Sequence, residues 1–284
     1  MGKDYESKFN YPPDFTDPDI PRGVLSPSQF DMYRRCPRQY SYRYVQNLIS
    51  APGIAAARGR AVHKGAEVTH KHTIEHGEPL PLEDATQSVA DAYDTEIEDV
   101  ELAEDEKSTD LGLLKDRTLY TFRTYYQDAV PKIRPVKVEH AFAVKIGVVP
   151  VRGFIDLVDS VEEDELTVDD DPENPPRIEV VSDLKLTGRK WPPQKVRHAP
   201  QLTFYAIVEN TDRVRVDLLL DQKTGTRYEP LKSRRDVTDK RVLVEDVEEV
   251  VDYIKKGIFP RCDPTSWVCT EKFCGYYSRC RGPK

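Results

Sequence analysis

Two hydrophobic periods divide the chain. Up to about residue 130 apolar residues recur at helical spacing, and from Pro135 onward they alternate. A helix starts at Ser26, with Ser26 as N-cap, Pro27 at the first helical position and Gln29 closing a capping box. Phe30 and Tyr33 give it a buried stripe. Pro37 stops it after Cys36, and Tyr40 and Tyr44 carry an apolar face onto a second helix. Cys36 is thereby placed at a helix–helix corner. A further helix begins near Arg58, with Val62, Ala66, Thr69 and Thr73 spaced for burial, and two more cover 83–107 and 113–128. Val136, Val138, Ala141 and Val144 then mark a strand, Gly147 a turn, and Val149 to Val158 the antiparallel return. After a central strand at Ile178 to Lys185, a helix is expected from about His198, a strand at Arg213 to Asp221 with Tyr228 to Leu231 as its candidate partner, and a final helix at Val242 to Phe259. Residues 1–24, with several prolines, read as an extended arm over the surface.

The central strand is where chemistry first shows. Ile178, Val180 and Val181 make it β-prone, and Thr187-Gly188 ends it. Side chains alternate across a strand, so Asp183 and Lys185 share one face while Leu184 points into a core. A carboxylate and an ammonium fixed side by side can hold a divalent ion and steady the charge on a phosphate. The same pair also occurs as an ordinary surface ion pair. On the preceding strand, Asp156 in Gly153-Phe154-Ile155-Asp156 is embedded among apolar residues, where a carboxylate needs a cation or a strong donor. His63 stands at the edge of its helix's buried stripe, a position that suits a packed core residue or a ligand. Gln201 and Tyr205 lie one turn apart on one helix face.

Charge changes the picture only when mapped. The net charge of −8 argues against a nucleic-acid partner. Yet residues 83–110 carry 12 acids and one lysine, and 159–173 carry 9 acids and no base. The remaining chain holds 29 acids against 41 bases, a net of +12, which suits a polyanion. Arg189, Lys190, Lys195 and Arg197 form a basic approach just after the central strand. Asp169-Asp170-Asp171 matches no calcium-loop spacing and reads as a solvated loop. No segment has the length and apolarity of a membrane span, and residues 1–19 are too polar for a signal peptide, so a soluble, cytoplasmic protein is expected. Four of the five cysteines fall in Cys262-x6-Cys269-x4-Cys274-x5-Cys280, and in a reducing compartment such clustering points to a metal site.

Taken in order from Ser26 to Cys280, these pieces resemble the RecB-like branch of the PD-(D/E)xK nucleases, especially the CRISPR-associated and phage exonucleases that carry an iron–sulfur cluster. The matching residues are Ser26-Pro-Ser-Gln-Phe with Tyr33-Arg-Arg-Cys-Pro, Arg58-Gly-Arg-Ala-Val-His63, Gly153-Phe-Ile-Asp156, Asp183-Leu-Lys185 and Gln201-x3-Tyr205. The resemblance implies an α/β fold with a restriction-endonuclease-like mixed sheet core, a helical N-terminal part and a Cys-clustered C-terminal tail. It implies one nuclease domain over 25–284, divided into a helical part (25–130), a catalytic α/β core (131–260) and a tail (261–284) packed on the Cys36 helix. It makes His63, Asp156 and Asp183, with the Leu184 carbonyl, the ligands of Mg²⁺ or Mn²⁺. Lys185 becomes the water-orienting, charge-offsetting residue, positioned with the DNA by Gln201 and Tyr205. It assigns Cys36, Cys269, Cys274 and Cys280 to a [4Fe–4S] cluster, with structural Zn²⁺ as the alternative and Cys262 spare. The family usually ends in Cys-x2-Cys-x5-Cys, and here Cys269 and Cys274 are four residues apart. The implied activity is a DNA exonuclease acting on single strands or frayed ends, most often 5′→3′, in recombination, repair or phage DNA metabolism. The chain carries no Walker A motif, so any helicase or recombination protein would be a separate partner. The rival readings are a non-catalytic DNA-end-binding accessory module and an RNA nuclease.

Overall fold

The computed structural model describes residues 9, 11–12, 14–102, 106–162 and 176–282. The Asp169-Asp170-Asp171 segment lies outside the described residues. The chain falls into two compact units, each assembled from segments distant in sequence. One comprises residues 1–51, 141–154 and 236–284, and the other 52–140 and 155–235. Grouping by contact therefore cuts across the sequence-order division into helical part, core and tail.

In the first unit, α1 (Pro27–Arg35) begins as its sequence predicts, with Ser26 Oγ accepting from the Gln29 N–H at 3.2 Å. The capping box is not formed. Gln29 is buried, and its amide instead donates to the Val24 carbonyl and accepts from the Tyr40 hydroxyl, each at 3.3 Å. A buried amide needs its partners inside the protein, and these two are nearer at hand than its own helix terminus. Cys36 leaves the helical conformation (φ −159°, ψ 100°), and Pro37 opens α2 (Pro37–Tyr40), which runs into a π-helical turn at Ser41–Val45. The N-terminal arm is pinned rather than draped. Phe15, Ile20 and Val24 are buried, Leu25 bridges to Val151, and the rings of Tyr11 and Phe15 stack. Apolar side chains of this size recover enough on burial, about 1.5–3 kcal/mol each, to hold a proline-rich segment down.

The long helix near the C-terminus, preceding residues 256–284, starts with a full capping box between Asp236 and Asp239 and covers Val237–Lys255. It buries Leu243, Val247, Val250, Val251 and Ile254 at helical spacing. Arg34 meets its Asp246 at 2.9 Å, and the Tyr33 hydroxyl donates to the Ile258 carbonyl at 2.7 Å. The segment that follows returns to the Cys36 corner, where the Arg38 N–H donates to the Pro260 carbonyl at 3.0 Å. Farther on, the Tyr276 hydroxyl donates to the Leu48 carbonyl at 2.7 Å. Gly275 permits a close approach, since a Cβ there would lie 2.9 Å from that of Ser50.

In the second unit, α3 (Ile54–His76), α4 (Leu82–Glu98) and α5 (Leu111–Asp128) pack together and against the sheet. The sheet order is β1 (Pro135–Ile146), β2 (Val149–Glu162), β3 (Arg177–Thr187), β4 (Arg213–Gln222), β5 (Gly225–Arg234). Residues 141–154 of the β1–β2 hairpin count with the first unit. β3 is central, antiparallel to β2 and parallel to β4, so the sheet is mixed. The crossover from β3 to β4 carries α6 (Pro193–Arg197) and α7 (Pro200–Val208). Val62, Ala66, Val89, Tyr93, Phe122, Tyr125, Leu157, Leu184 and Leu219 share one buried core. Leu184 thus points inward, as strand alternation requires, and leaves Asp183 and Lys185 on the opposite face. α3 starts one turn earlier than its motif suggests, at Ile54 with Gly53 as N-cap, and α4 stops at Glu98 instead of 107.

Candidate active site and thiolate cavity

Strand pairing builds the first site. Leu157 pairs with Ser182 across β2 and β3, which sets Asp156 beside Asp183 on neighbouring strands. Asp156 Oδ2 accepts from the Leu184 N–H at 3.2 Å, and Lys185 Nζ donates to Asp183 Oδ1 at 2.7 Å. α3 delivers His63 to the same place. Its Nε2 lies 2.8 Å from the Leu184 carbonyl oxygen and its Nδ1 lies 3.4 Å from Asp156 Oδ2. Each ring nitrogen therefore faces an oxygen, and a cation among these oxygens would take the imidazole as a nitrogen ligand.

Glu139 joins this group. One ligand atom each from His63, Glu139 and Asp156 lie within 4.8 Å of one another. Sequence reasoning missed this residue because Val136 and Val138 made it look like the solvent face of an ordinary strand. Counting back from the turn at Gly147 and Val148 along an unbulged hairpin sets residue 139 opposite 156, which is the signal that could have found it. Its φ of 46° is unusual for a non-glycine residue in a strand, a departure of the kind that costs about 1–3 kcal/mol and persists where the surroundings enforce it.

Electrostatics follow from the burial. Asp183 is 2% exposed, and desolvation, reinforced by Asp156, pushes its carboxyl up to about 6 against the pull of Lys185 and His63. Tyr205 is buried with its hydroxyl raised well above the usual range, by burial first and then by Asp156, Asp183 and Glu139. Three carboxylates therefore act on that hydroxyl. Gln201 donates to the Tyr205 hydroxyl at 2.6 Å, so the i,i+4 pair on α7 acts as one unit. His63, Asp156, Asp183, Leu184, Lys185, Gln201 and Tyr205 all belong to the second unit, and the structure brings them to one end of β3.

A recess lined by His63, Glu67, His70, Tyr125, Glu139, Asp156, Ser182 and Asp217 leads from this site to a buried polar network. Arg215 binds Asp159 at 2.7 Å and Asp217 at 3.0 Å, and Asp217 also accepts from Ser182 and from the Tyr228 hydroxyl. His70 Nε2 meets the Tyr125 hydroxyl at 2.7 Å. Arg189, Lys190 and Lys195 are exposed after β3, and Arg197 is half-buried. Lys190 pairs with Glu229 at 3.0 Å, and Lys195 lies over the Trp191 ring, 3.6 Å from its centre.

The second site lies in the first unit. Cys36, Cys262, Cys269, Cys274 and Cys280, all free thiols, line one cavity together with Arg38, Arg261, Arg281 and Tyr42. Cys36 stands at the corner made by Pro37, as expected. Arg261 Nε donates to Cys280 Sγ at 3.4 Å, and Arg281 reaches Cys269. Cys262, expected to be spare, shares the cavity and touches both Cys36 and Cys269; burial and these neighbouring sulfurs push its thiol up to about 12. A metal that displaces the protons would remove that penalty.

A family model described as the PD-(D/E)XK nuclease superfamily matches residues 24–281. No curated protein matches. Among solved structures, the crystal structure of SSO0001 is similar over 98% of this chain and 90% of that chain, at 11% identity and a TM-score of 0.38. No helix among the described residues is long and apolar enough to cross a membrane.

Proposed function

Since the chain belongs to the PD-(D/E)XK nuclease superfamily, whose members are metal-dependent nucleases, we propose that it is a deoxyribonuclease that removes nucleotides from single-stranded DNA or frayed ends. The observation that carries this reading is the convergence of His63, Glu139 and Asp156 beside the Asp183–Lys185 pair. One imidazole among carboxylates and the Leu184 carbonyl is a donor set that suits Mg²⁺ or Mn²⁺, the imidazole favouring manganese. Glu139 adds an oxygen ligand to His63, Asp156, Asp183 and Leu184. When bound, such an ion supplies Lewis-acid polarisation of the phosphate and neutralises charge.

The chain's own residues do the rest. Asp183 holds Lys185 so that its ammonium faces the scissile phosphate, where it orients the attacking water and offsets charge growing on the phosphoryl oxygens. Gln201 fixes the Tyr205 hydroxyl among the carboxylates, which keeps that wall of the site rigid. Arg189, Lys190, Lys195 and Arg197 supply phosphate contacts that position the strand without reading its sequence. Trp191 beside Lys195 offers an aromatic face of the kind on which bases stack.

In the first unit, Cys36, Cys269, Cys274 and Cys280 would hold a [4Fe–4S] cluster. Four thiolates 2.3 Å from one tetrahedral zinc lie about 3.8 Å apart. Among the described residues, His63, Glu139 and Asp156 form the one group of three or more such side chains with all ligand atoms inside 4.8 Å, and no three cysteine sulfurs meet that limit. The wider spacing favours a bridged multi-iron group over a single ion. The site's role is to clip the tail to the Cys36 corner, a closure across more than 200 residues. A helicase or recombination protein, if one acts with this chain, is a separate cytoplasmic partner.

The testing experiment is digestion of 5′- and 3′-end-labelled single- and double-stranded DNA with Mg²⁺, Mn²⁺ or EDTA. Mononucleotide release from single strands that stops in EDTA is expected, and the label released first gives the polarity. Degradation of RNA alone, or DNA binding without cleavage in any metal, would refute the proposal.

A further inference from the structure

Five thiols surround a cavity, while a [4Fe–4S] group or a zinc ion takes four. The surplus is not a bystander on the surface. Cys262 lines the same cavity as the other four, in contact with Cys36 on one side and Cys269 on the other. Its backbone is held there. Two residues earlier, the Pro260 carbonyl accepts from the Arg38 N–H at 3.0 Å, fixing the approach to the Cys36 corner, and the Cys262 carbonyl accepts from Arg281 Nη2 at 3.0 Å. Arg281 also reaches the Cys269 sulfur, so one guanidinium serves both positions.

Cys269, Cys274 and Cys280 are each fixed by a turn within the tail, where their N–H groups donate to the carbonyls of Ser266 (2.8 Å), Thr270 (2.9 Å) and Tyr276 (3.0 Å). Cys280 also takes its own guanidinium from Arg261. Cys36 has no neighbour in sequence that could replace it. Cys262 touches Cys36 and Cys269 alike, but only to Cys269 is it also tied through Arg281, which holds the Cys262 carbonyl and reaches the Cys269 sulfur.

We propose that Cys262 and Cys269 share one ligand position of the thiolate site, so that either sulfur completes it with Cys36, Cys274 and Cys280. The inference rests on the reading that these cysteines hold a metal group. It also accounts for the four-residue gap between Cys269 and Cys274, because a ligand that departs from the usual spacing is backed by a second sulfur already in contact with it.

The test uses the full chain purified without oxygen, as wild type, Cys262→Ser, Cys269→Ser and the double variant. Iron, sulfide and zinc per chain are measured, together with the number of thiols that react with Ellman's reagent in the native protein. Both single variants are expected to keep wild-type metal content, and the double variant to fall at least tenfold. The wild type should show one reactive thiol and each single variant none. The thiol count holds its meaning even where the double variant folds poorly, because it is read on the singles. Loss of metal in Cys269→Ser while the wild type is loaded would overturn this inference and leave the metal site standing. A wild type without metal would overturn both.

Discussion

His70 gives the sharpest link between burial and a measurable free energy. It is 3% exposed on α3, with Nε2 held against the Tyr125 hydroxyl at 2.7 Å, and desolvation lowers its pKa from 6.5 to about 4. Well above pH 6.5 the imidazole is neutral in both folded and unfolded chains and contributes nothing to the pH dependence. As pH falls from 6.5 towards 4, the unfolded chain takes up a proton that the folded one refuses, so stability is lost in that window. With these values the loss relative to pH 8 is about 2 kcal/mol at pH 5 and about 3 kcal/mol at pH 4. A His70→Gln variant keeps a group that can hydrogen-bond Tyr125 and cannot titrate. Urea unfolding of both metal-free proteins at half-unit steps from pH 8 to 4.5 measures the difference directly. Subtracting the variant removes the contributions of all other groups, including Asp183, whose raised pKa acts in the opposite sense. The wild type should lose stability relative to the variant by about 2 kcal/mol between pH 8 and 5. Parallel profiles would show that His70 is not excluded from water, and the account of the buried network beneath the site would fail with it.

Three further outcomes follow. Metal-free Asp183→Asn should be more stable than wild type at pH 8, by up to about 3 kcal/mol, because a carboxyl held at about 6 resists ionisation and regains stability only as pH falls through 6 towards 3.8; equal or lower stability in urea contradicts this. Gly65→Ala places a Cβ 2.7 Å from Phe122 Cε2, and overpacking of this kind should cost about 1–3 kcal/mol in the same assay, whereas Gly59→Ala, with nothing within 4 Å, should cost none. Single-strand binding should weaken with salt at a log–log slope of about −0.7 per neutralised phosphate, and Lys195→Ala should make the slope shallower by roughly that amount; an unchanged slope removes Lys195 from the interface.

What could be read from the sequence was what local rules govern. β3 followed from its β-branched run, and with it the opposite faces of Leu184 and Asp183. The start of α1 followed from Ser26 and Pro27, and the corner at Cys36 from Pro37. Elements defined by pairing across distance were harder. Glu139 belongs to the site through hairpin register, which an alternating pattern alone does not express. Asp159 reads in sequence as the start of an acidic loop, and Arg215 and Asp217 as polar positions on an alternating strand, yet all three are buried on strands, because an ion network satisfied from four strands can sit where apolar residues would. The Gln29 capping box failed for a related reason, its amide having been drawn into the core. The family resemblance leaves Cys262 spare, and the path of the tail, which depends on contacts far from it in sequence, is what returns it to the cavity.

The central claim, that the end of β3 is a metal-dependent catalytic site, is tested most directly by single-turnover cleavage of end-labelled single-stranded DNA in Mn²⁺, with DNA binding measured alongside. Wild type, Asp183→Ala and Lys185→Ala are compared. The account predicts that both variants fold and bind DNA within about threefold of wild type, while cleavage falls by at least about a hundredfold, the scale for loss of a preorganised charge-stabilising group. Wild-type cleavage by Asp183→Ala, or cleavage by the parent undiminished in excess EDTA, would contradict it.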